Sequence, residues 1–322
     1  MAESADAARE RFRRLTDFGA PWAVWIAATL RLADHIEAGA IRLEELAGRT
    51  GADPDALRRL LQYLVSLDVF TEANGAYANT DVSLLLLDEA GSRQWLDLDG
   101  APAVWAESWT RLLQAVRTGS PGRDEGWYYE ELARTGRSES FDALMAVQVR
   151  AYADEVARAY DWSSVAHVVD VGGGTGVMLQ AILAAHPNVQ GTLFDLPQVV
   201  APVKNADRFD VVGGDIFKDP LPRGDAYVLS QILHGWPDGE AAKILSRCVE
   251  AGGAGVRIVV VEGVLPDRPT AGEAGFDLFM LTLSGGRQRT LADFRRLGEA
   301  VGLASFSAQP LETRGALVEL RR

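Results

Sequence analysis

Residues 165–176 read VAHVVDVGGGTG, a β-branched run from Val165 to Val171 that breaks into glycines at Gly172, Gly173, Gly174 and Gly176. The run predicts a buried strand. The glycines after it predict a tight turn that opens a helix and lets a ligand approach the backbone closely. Four more strand-like runs follow, VQGTLFD, FDVVGGD, DAYVLSQ and VRIVVVEG, alternating with helical segments. Those segments are long enough for the helical crossovers that parallel strands require, so the pattern predicts a doubly wound, Rossmann-like α/β sheet. Ligands of such sheets bind beyond the carboxyl ends of the strands.

The strand ends carry the chemistry. A dinucleotide fingerprint places Gly or Ala after the second glycine of the turn for close helix packing, but here Gly172 and Gly174 are followed by Gly176 and then Val177. The spacing is G-x-G-x-G behind Asp170. Asp195, at the end of the second run and before Leu196 and Pro197, is placed to accept from both hydroxyls of a ribose, or else to cap the turn that follows. Asp215, after Gly214, is placed to accept from an adenine amino group while Ile216 and Phe217 pack on the ring, or else to serve as a turn acid. A glycine loop and two acids at three successive strand ends together outline an adenosine pocket.

Upstream, residues 1–100 read as helices followed by a hairpin. Leu57, Leu60, Leu61, Leu64 and Leu67 recur at helical spacing, Asp53 and Pro54 suit the N-cap and first helical position, and Asn74-Gly75 signals a tight turn. This order predicts a mostly helical, winged-helix-like module. It carries 10 Arg and no Lys against 17 Asp plus Glu, a balance that repels DNA phosphate, so subunit packing is the preferred role. Residues 101–162 continue as a helical linker of amphipathic helices whose aromatics, Tyr129 among them, read mostly as core. Residues 163–322 form the α/β domain.

Composition narrows the classes further. A net charge of −13 over 322 residues argues against nonspecific nucleic-acid binding. The lone cysteine, Cys248, forms no internal disulfide, no Cys/His cluster has metal-ligand spacing, and no apolar run reaches membrane-spanning length. A metal-free cytoplasmic protein with no membrane partner is the expectation.

Ser230-Gln231-Ile232-Leu233-His234-Gly235-Trp236-Pro237-Asp238 resembles the L-H-D-W-x-D motif of plant and bacterial small-molecule O-methyltransferases. DVGGGTG, FDLPQVV, GDIF, WTRLLQAVRTGSP, FDALM and SGGRQRT are similar to further landmarks of that family, in the same order, over nearly the whole chain. The resemblance implies a winged-helix dimerisation domain before a class I methyltransferase domain, a homodimer, S-adenosylmethionine as methyl donor, S-adenosylhomocysteine as product, and a hydroxylated aromatic acceptor. The Arg-rich, Ala-rich character is similar to actinobacterial enzymes that tailor aromatic polyketides, naphthoates and anthracyclines. The implied cofactor contacts are Asp170, Gly172, Gly174, Gly176, Asp195, Leu196, Gly214, Asp215, Ile216, Phe217, Ser230, Gln231 and Trp236.

Methyl transfer from a sulfonium is an in-line displacement, so positioning supplies much of the rate. An imidazole takes the proton of a phenol as the oxygen attacks, and the family match makes His234 that base. The same match gives Glu262 the task of orienting the imidazole through its second nitrogen. Two departures stand out. Gln288 occupies the place of a second family glutamate and supplies no negative charge, and Gly235 stands where the motif often has Asp. Phe141, Met145, Phe279 and Met280 match acceptor-pocket positions, or else are ordinary core. Arg11, on the first helix, matches an arm that reaches the partner's active site and contacts an acidic substrate. Two other functions compete: a relative that performs C-methylation, decarboxylation or hydroxylation on the same fold, and a ligand-sensing, DNA-binding regulator.

Overall fold

A computed structural model describes residues 4–124, 126–203 and 208–322. The chain forms two compact units, Met1–Ala103 and Val104–Arg322. No helix among the described residues is long and apolar enough to cross a membrane.

The first unit strings five helices, Ala5–Thr16, Gly19–Thr29, Leu32–Glu37, Leu43–Thr50 and Pro54–Ser66, into a hairpin of β1 (Phe70–Ala73) and β2 (Ala76–Asn79). Asp53 caps the fifth helix by accepting from the Ala56 amide at 2.9 Å, with Pro54 in the first turn. Asn74 and Gly75 both take positive φ, 53° and 72°, the twist a two-residue hairpin turn needs. Leu57, Leu61 and Leu64 are buried against Ala27, Leu32, Leu46 and Phe70. Each of these leucines contributes about 1.5–3 kcal/mol by leaving water. The first two helices behave differently: Phe12, Leu15, Phe18, Trp22 and Ile26 are exposed, Phe18 by 86%. Apolar exposure on that scale marks an interaction surface.

The second unit is built on seven strands, β3 (His167–Val171), β4 (Gln190–Asp195), β5 (Phe209–Gly213), β6 (Ala226–Ser230), β7 (Arg257–Glu262), β8 (Ser305–Pro310) and β9 (Ala316–Arg321), in the order β5-β4-β3-β6-β7-β9-β8. The five strands from β3 to β7 are parallel, and β9 runs antiparallel to both β7 and β8. The pleat sends alternate residues to opposite layers. Val168, Val228 and Val259 pack on one face with Trp162, Met178 and Ile182. Val169, Tyr227, Leu229 and Ile258 pack on the other with Leu245, Cys248 and Phe294. Burial on both faces explains why these strands read as continuous apolar runs. The chain winds outward from β3 to β5 and then returns to β6 on the other side of β3. This leaves a crevice at the carboxyl edge where the direction of winding reverses.

Candidate functional site

The glycine turn closes the carboxyl end of β3. Gly172, Gly174 and Gly176 take φ of 69°, 59° and 82°, a conformation that strains any residue with a Cβ. A Cβ on Gly172 would come 2.5 Å from the Ile232 side chain, whereas at Gly174 it would meet open space. Gly176 turns away, N-caps the helix Val177–Ala185 and faces the Leu193 side chain. Of the thirteen residues matched to the cofactor, it alone does not line the cavity that opens here; the other twelve converge on it. That cavity holds about 520 Å³.

Its walls divide by chemistry. Asp195 accepts from the amides of Gly174 (2.8 Å, Oδ2) and Leu196 (2.6 Å, Oδ1). It therefore serves as a turn cap, and each oxygen still has a free lone pair for a hydroxyl donor. Asp215 accepts from the Phe217 amide at 2.8 Å and meets Lys218 Nζ at 2.8 Å. Burial works to raise its pKa, but the Lys218 and Phe217 contacts outweigh it and hold the carboxyl below its usual range. An aromatic wall follows: Phe217 meets Trp236 edge-on at 4.6 Å, and Tyr129 stacks on Trp236 at 6.4 Å. Tyr129 reads in the sequence as one more core aromatic. Its place in this wall is set by a residue more than a hundred positions away.

Several buried groups on this wall lack partners. Neither carboxylate oxygen of Asp170 has a hydrogen bond among the described residues, nor does Gln231 Oε1. Burial pushes Asp170 up to about 7 and Asp142, also on the wall, up to about 6, and it raises Asp195 as well. These raised values mean that the folded protein is stabilised while the acids stay protonated. That stabilisation is lost as pH climbs from the ordinary carboxylate range through about 7. The wall therefore presents carboxyl and amide oxygens with lone pairs left for a donor.

His234 sits beside this cavity in a short 3₁₀ turn, Leu233–Gly235, after β6. Its main chain is fixed at both ends: its N–H donates to Glu262 Oε1 at 3.1 Å, and its carbonyl accepts from the Arg287 amide at 2.9 Å. Glu262 thus holds the backbone of His234 and not the second ring nitrogen, which corrects the sequence expectation. Glu262 ends β7 directly beneath the turn, where the peptide N–H is nearer than the imidazole. Gln288 takes the ring instead, with Nε2 3.1 Å from His234 Nδ1. Arg289, fully buried, donates to the carbonyls of Leu233 (2.6 Å) and Trp236 (2.9 Å) and pairs with Asp238 at 2.9 Å. A Cβ on Gly286 would collide with the His234 carbonyl, so glycine there lets the two segments pass.

Burial, then the charges of Arg314 and Arg289, push the His234 imidazole down to about 3. Burial pushes Glu262 up to about 7. The imidazole is neutral at physiological pH, and the Gln288 amide nitrogen donates to its Nδ1 lone pair, which leaves the hydrogen on Nε2.

Around it, Phe276 lies 5.7 Å away and leads to Phe279, which stacks on Trp109 at 6.0 Å. Phe141 and Met145 line the cavity, whereas Phe279 stands in this aromatic cluster and Met280 is buried in the core. Arg11 lies on the exposed helix Ala5–Thr16 of the other unit. Among the described residues no group of three or more His, Cys, Asp or Glu converges as a metal site.

Residues 109–304 match the sequence profile of an O-methyltransferase domain, and residues 13–89 that of an O-methyltransferase dimerisation domain. The chain is 41% identical over 320 residues to a 2,7-dihydroxy-5-methyl-1-naphthoate 7-O-methyltransferase of Streptomyces carzinostaticus, covering 95% of this chain and 96% of that protein. It is also 41% identical to an aclacinomycin 10-hydroxylase of Streptomyces purpurascens, over 92% of this chain and 84% of that one. Its fold superposes with a TM-score of 0.87, at 39% identity and over 96% of this chain and 98% of the other, on an O-methyltransferase from neocarzinostatin biosynthesis. That enzyme was solved with S-adenosylmethionine and 2-hydroxy-5-methyl naphthoic acid.

Proposed function

The chain belongs to the O-methyltransferase family that carries an N-terminal dimerisation domain, and from that premise we propose that it methylates a hydroxyl of a small aromatic natural product, using S-adenosylmethionine. The observation that carries this reading is the cavity at the carboxyl edge, where a glycine turn, the unpaired buried carboxyl of Asp170 and an aromatic wall meet beside a neutral imidazole. When bound there, S-adenosylmethionine supplies an electrophilic methyl group. Asp195 accepts from its ribose hydroxyls, and Asp215 and the Ile216–Phe217–Trp236 wall hold the adenine. Asp170 and the Gly172–Gly174 turn face the amino-acid end. Leu196, Gly214, Ser230 and Gln231 close the walls. Residues 1–100 act in dimerisation through the exposed Phe12–Ile26 face, 101–162 line the acceptor with Phe141 and Met145, and 163–322 hold the donor. Phe279 and Met280 shape the acceptor side from behind Phe276, and Arg11 contacts an acidic acceptor across the dimer.

His234 takes the acceptor's proton. For its Nε2 to be the accepting atom, Nδ1 must carry the hydrogen, so Gln288 has to turn its carbonyl oxygen toward Nδ1. An amide oxygen stabilises the resulting imidazolium less than a carboxylate does. Gln288→Glu is therefore expected to raise the pKa of His234 and shift the acid limb of the pH profile of kcat/KM upward by about one unit or more. An unshifted limb would remove Gln288 from the base relay.

Donor binding tests the cavity itself. A cation with hydroxyl donors favours ionised Asp170, Asp142 and Asp195, so S-adenosylmethionine should bind with release of about one proton or less near pH 6.5 and with affinity that rises toward pH 8. Calorimetry in buffers of different ionisation enthalpy reads this directly. Absence of binding, or proton uptake, contradicts the reading.

A second reading draws on the hydroxylase relative and on Gln288: the same framework serving C-methylation, decarboxylation or hydroxylation. Incubation with methyl-labelled S-adenosylmethionine and hydroxylated naphthoates, anthracyclines and flavonoids separates the two. Labelled aryl methyl ether supports O-methylation, and turnover without label transfer favours the alternative.

A further inference from the structure

Among the described residues that line the donor cavity, Glu130, Asp142, Asp170, Asp195 and Asp215 carry carboxyls, and Lys218 is the one basic side chain. Lys218 is already paired with Asp215 at 2.8 Å. Glu130 is exposed to solvent. Asp195 and Asp215 have their amide contacts, and Asp170 is fully buried at the glycine turn with neither oxygen bonded. Asp142 has no contact assigned to it. It is half-buried, and among the described residues its carboxylate has neither a hydrogen bond nor an ion pair.

Its position gives it a task. The helix Ser138–Arg150 turns Phe141, Asp142 and Met145 toward the cavity, positions that the helical repeat brings onto one side. Burial, then the charge of Asp195, raises the Asp142 carboxyl. After burial, the charges of Asp195 and Asp142 also raise the Tyr129 phenol, so these three groups share one stretch of the cavity. The donor's sulfur is bonded to the ribose that Asp195 holds, and it carries the methyl that must point to the acceptor side, which Phe141 and Met145 line. Asp142 stands between the two.

We propose that Asp142 reads the charge on that sulfur and makes the site select the sulfonium donor over its neutral product. This rests on the methyltransferase reading and adds to it the residue that tells donor from product. In the transfer the C–S bond breaks and its electron pair stays on sulfur, the methyl bonds to the acceptor oxygen, and the hydroxyl proton passes to His234. Donor and product keep the same adenosine and the same amino-acid end, and they differ by one methyl and one positive charge. A carboxylate with no cation of its own attracts the sulfonium and gains little from the sulfide. Once the methyl has gone, the repulsion between Asp142 and Asp195 returns, and the product leaves readily. Charge is already leaving sulfur in the transition state, so Asp142 serves donor capture and product release and not the chemical step.

Calorimetry at pH 8 compares the parent protein with Asp142→Asn and Asp142→Glu against three ligands. These are S-adenosylmethionine, S-adenosylhomocysteine and sinefungin, which carries a protonated amine where the donor carries its sulfonium methyl. The parent is expected to bind both cations at least about fivefold more tightly than S-adenosylhomocysteine. Asp142→Asn, which keeps size and polarity, should weaken both cations about 5- to 30-fold and leave S-adenosylhomocysteine within about threefold. Asp142→Glu restores the charge and should recover part of the preference. In turnover, Asp142→Asn should raise KM for the donor more than it changes kcat. The proposal is overturned if the parent does not prefer the cations, or if Asp142→Asn leaves their preference intact. It is equally overturned if that variant weakens cations and sulfide alike, as loss of a ribose contact or of packing would. Failure of the methyltransferase reading looks different: none of the three ligands then binds the parent protein, and the proposal falls with it.

Discussion

His234→Ala is expected to lower kcat by about 10²- to 10⁴-fold, the range that a positioned general base supplies, while affinity for S-adenosylmethionine stays within about threefold. The split follows from where the ring lies: the donor cavity is lined by neighbours on both sides, Ile232 and Trp236, but not by the imidazole. Alanine keeps the peptide N–H that Glu262 holds and the carbonyl that Arg287 holds, so the turn keeps its place. In the parent protein, an imidazole pushed down to about 3 stays neutral on going from pH 8 to pH 5. This group therefore produces no acid limb near 6.5. Full turnover in the alanine variant, or a limb at 6.5 that vanishes with it, would show that His234 does not act as this buried base.

The second large effect is one of stability. Arg289→Met keeps the volume of a buried side chain but takes the guanidinium from the carbonyls of Leu233 and Trp236, leaves Leu233 with only the Trp236 amide at 3.2 Å, and leaves Asp238 with only a longer contact to Arg287 at 3.5 Å. Loss of its charged donor costs the Trp236 carbonyl about 1–3 kcal/mol, and the Leu233 carbonyl, which stays paired, less. Asp238 is 53% exposed, so water replaces much of the ion pair and its loss adds little. The expected destabilisation is about 2 kcal/mol, which for a unit of this size lowers Tm by about 4–8 °C. Turnover should fall with it, because the released segment carries His234. Asp238→Asn is the control: it removes charge but leaves an oxygen to accept, and should shift Tm much less. Equal shifts in the two variants would assign the effect to charge and not to the carbonyls.

The sheet and the glycine turn were legible because their signals are local. A strand buried on both faces has to be a run such as HVVDV, and Gly172 and Gly174 are dictated by their own backbone angles. The antiparallel pair β8 and β9 escaped because Ser305–Pro310 is an exposed edge with almost no apolar alternation. The converging acids at the ends of β3 and β4 were readable from strand position alone. Tyr129 was not, because its orientation depends on Trp236, and Arg314 was not, because a turn reaches Phe276 only through tertiary packing. Glu262 was assigned to the right neighbourhood and the wrong atom. Strand register fixes where a carboxylate ends up to within a residue, but whether it meets a peptide or an imidazole is decided over about 3 Å, the length of one hydrogen bond.

The reversed direction of β9 has a practical side. Ala316 stands opposite Glu262 and Arg321 opposite Arg257, so the polypeptide leaves the sheet by the border farthest from the chemistry. Five residue steps at about 3.4 Å each separate the two borders by about 17 Å. A fluorophore or surface tether attached at Arg321 hangs from that quiet border of the sheet and leaves the residues that line the cavity untouched.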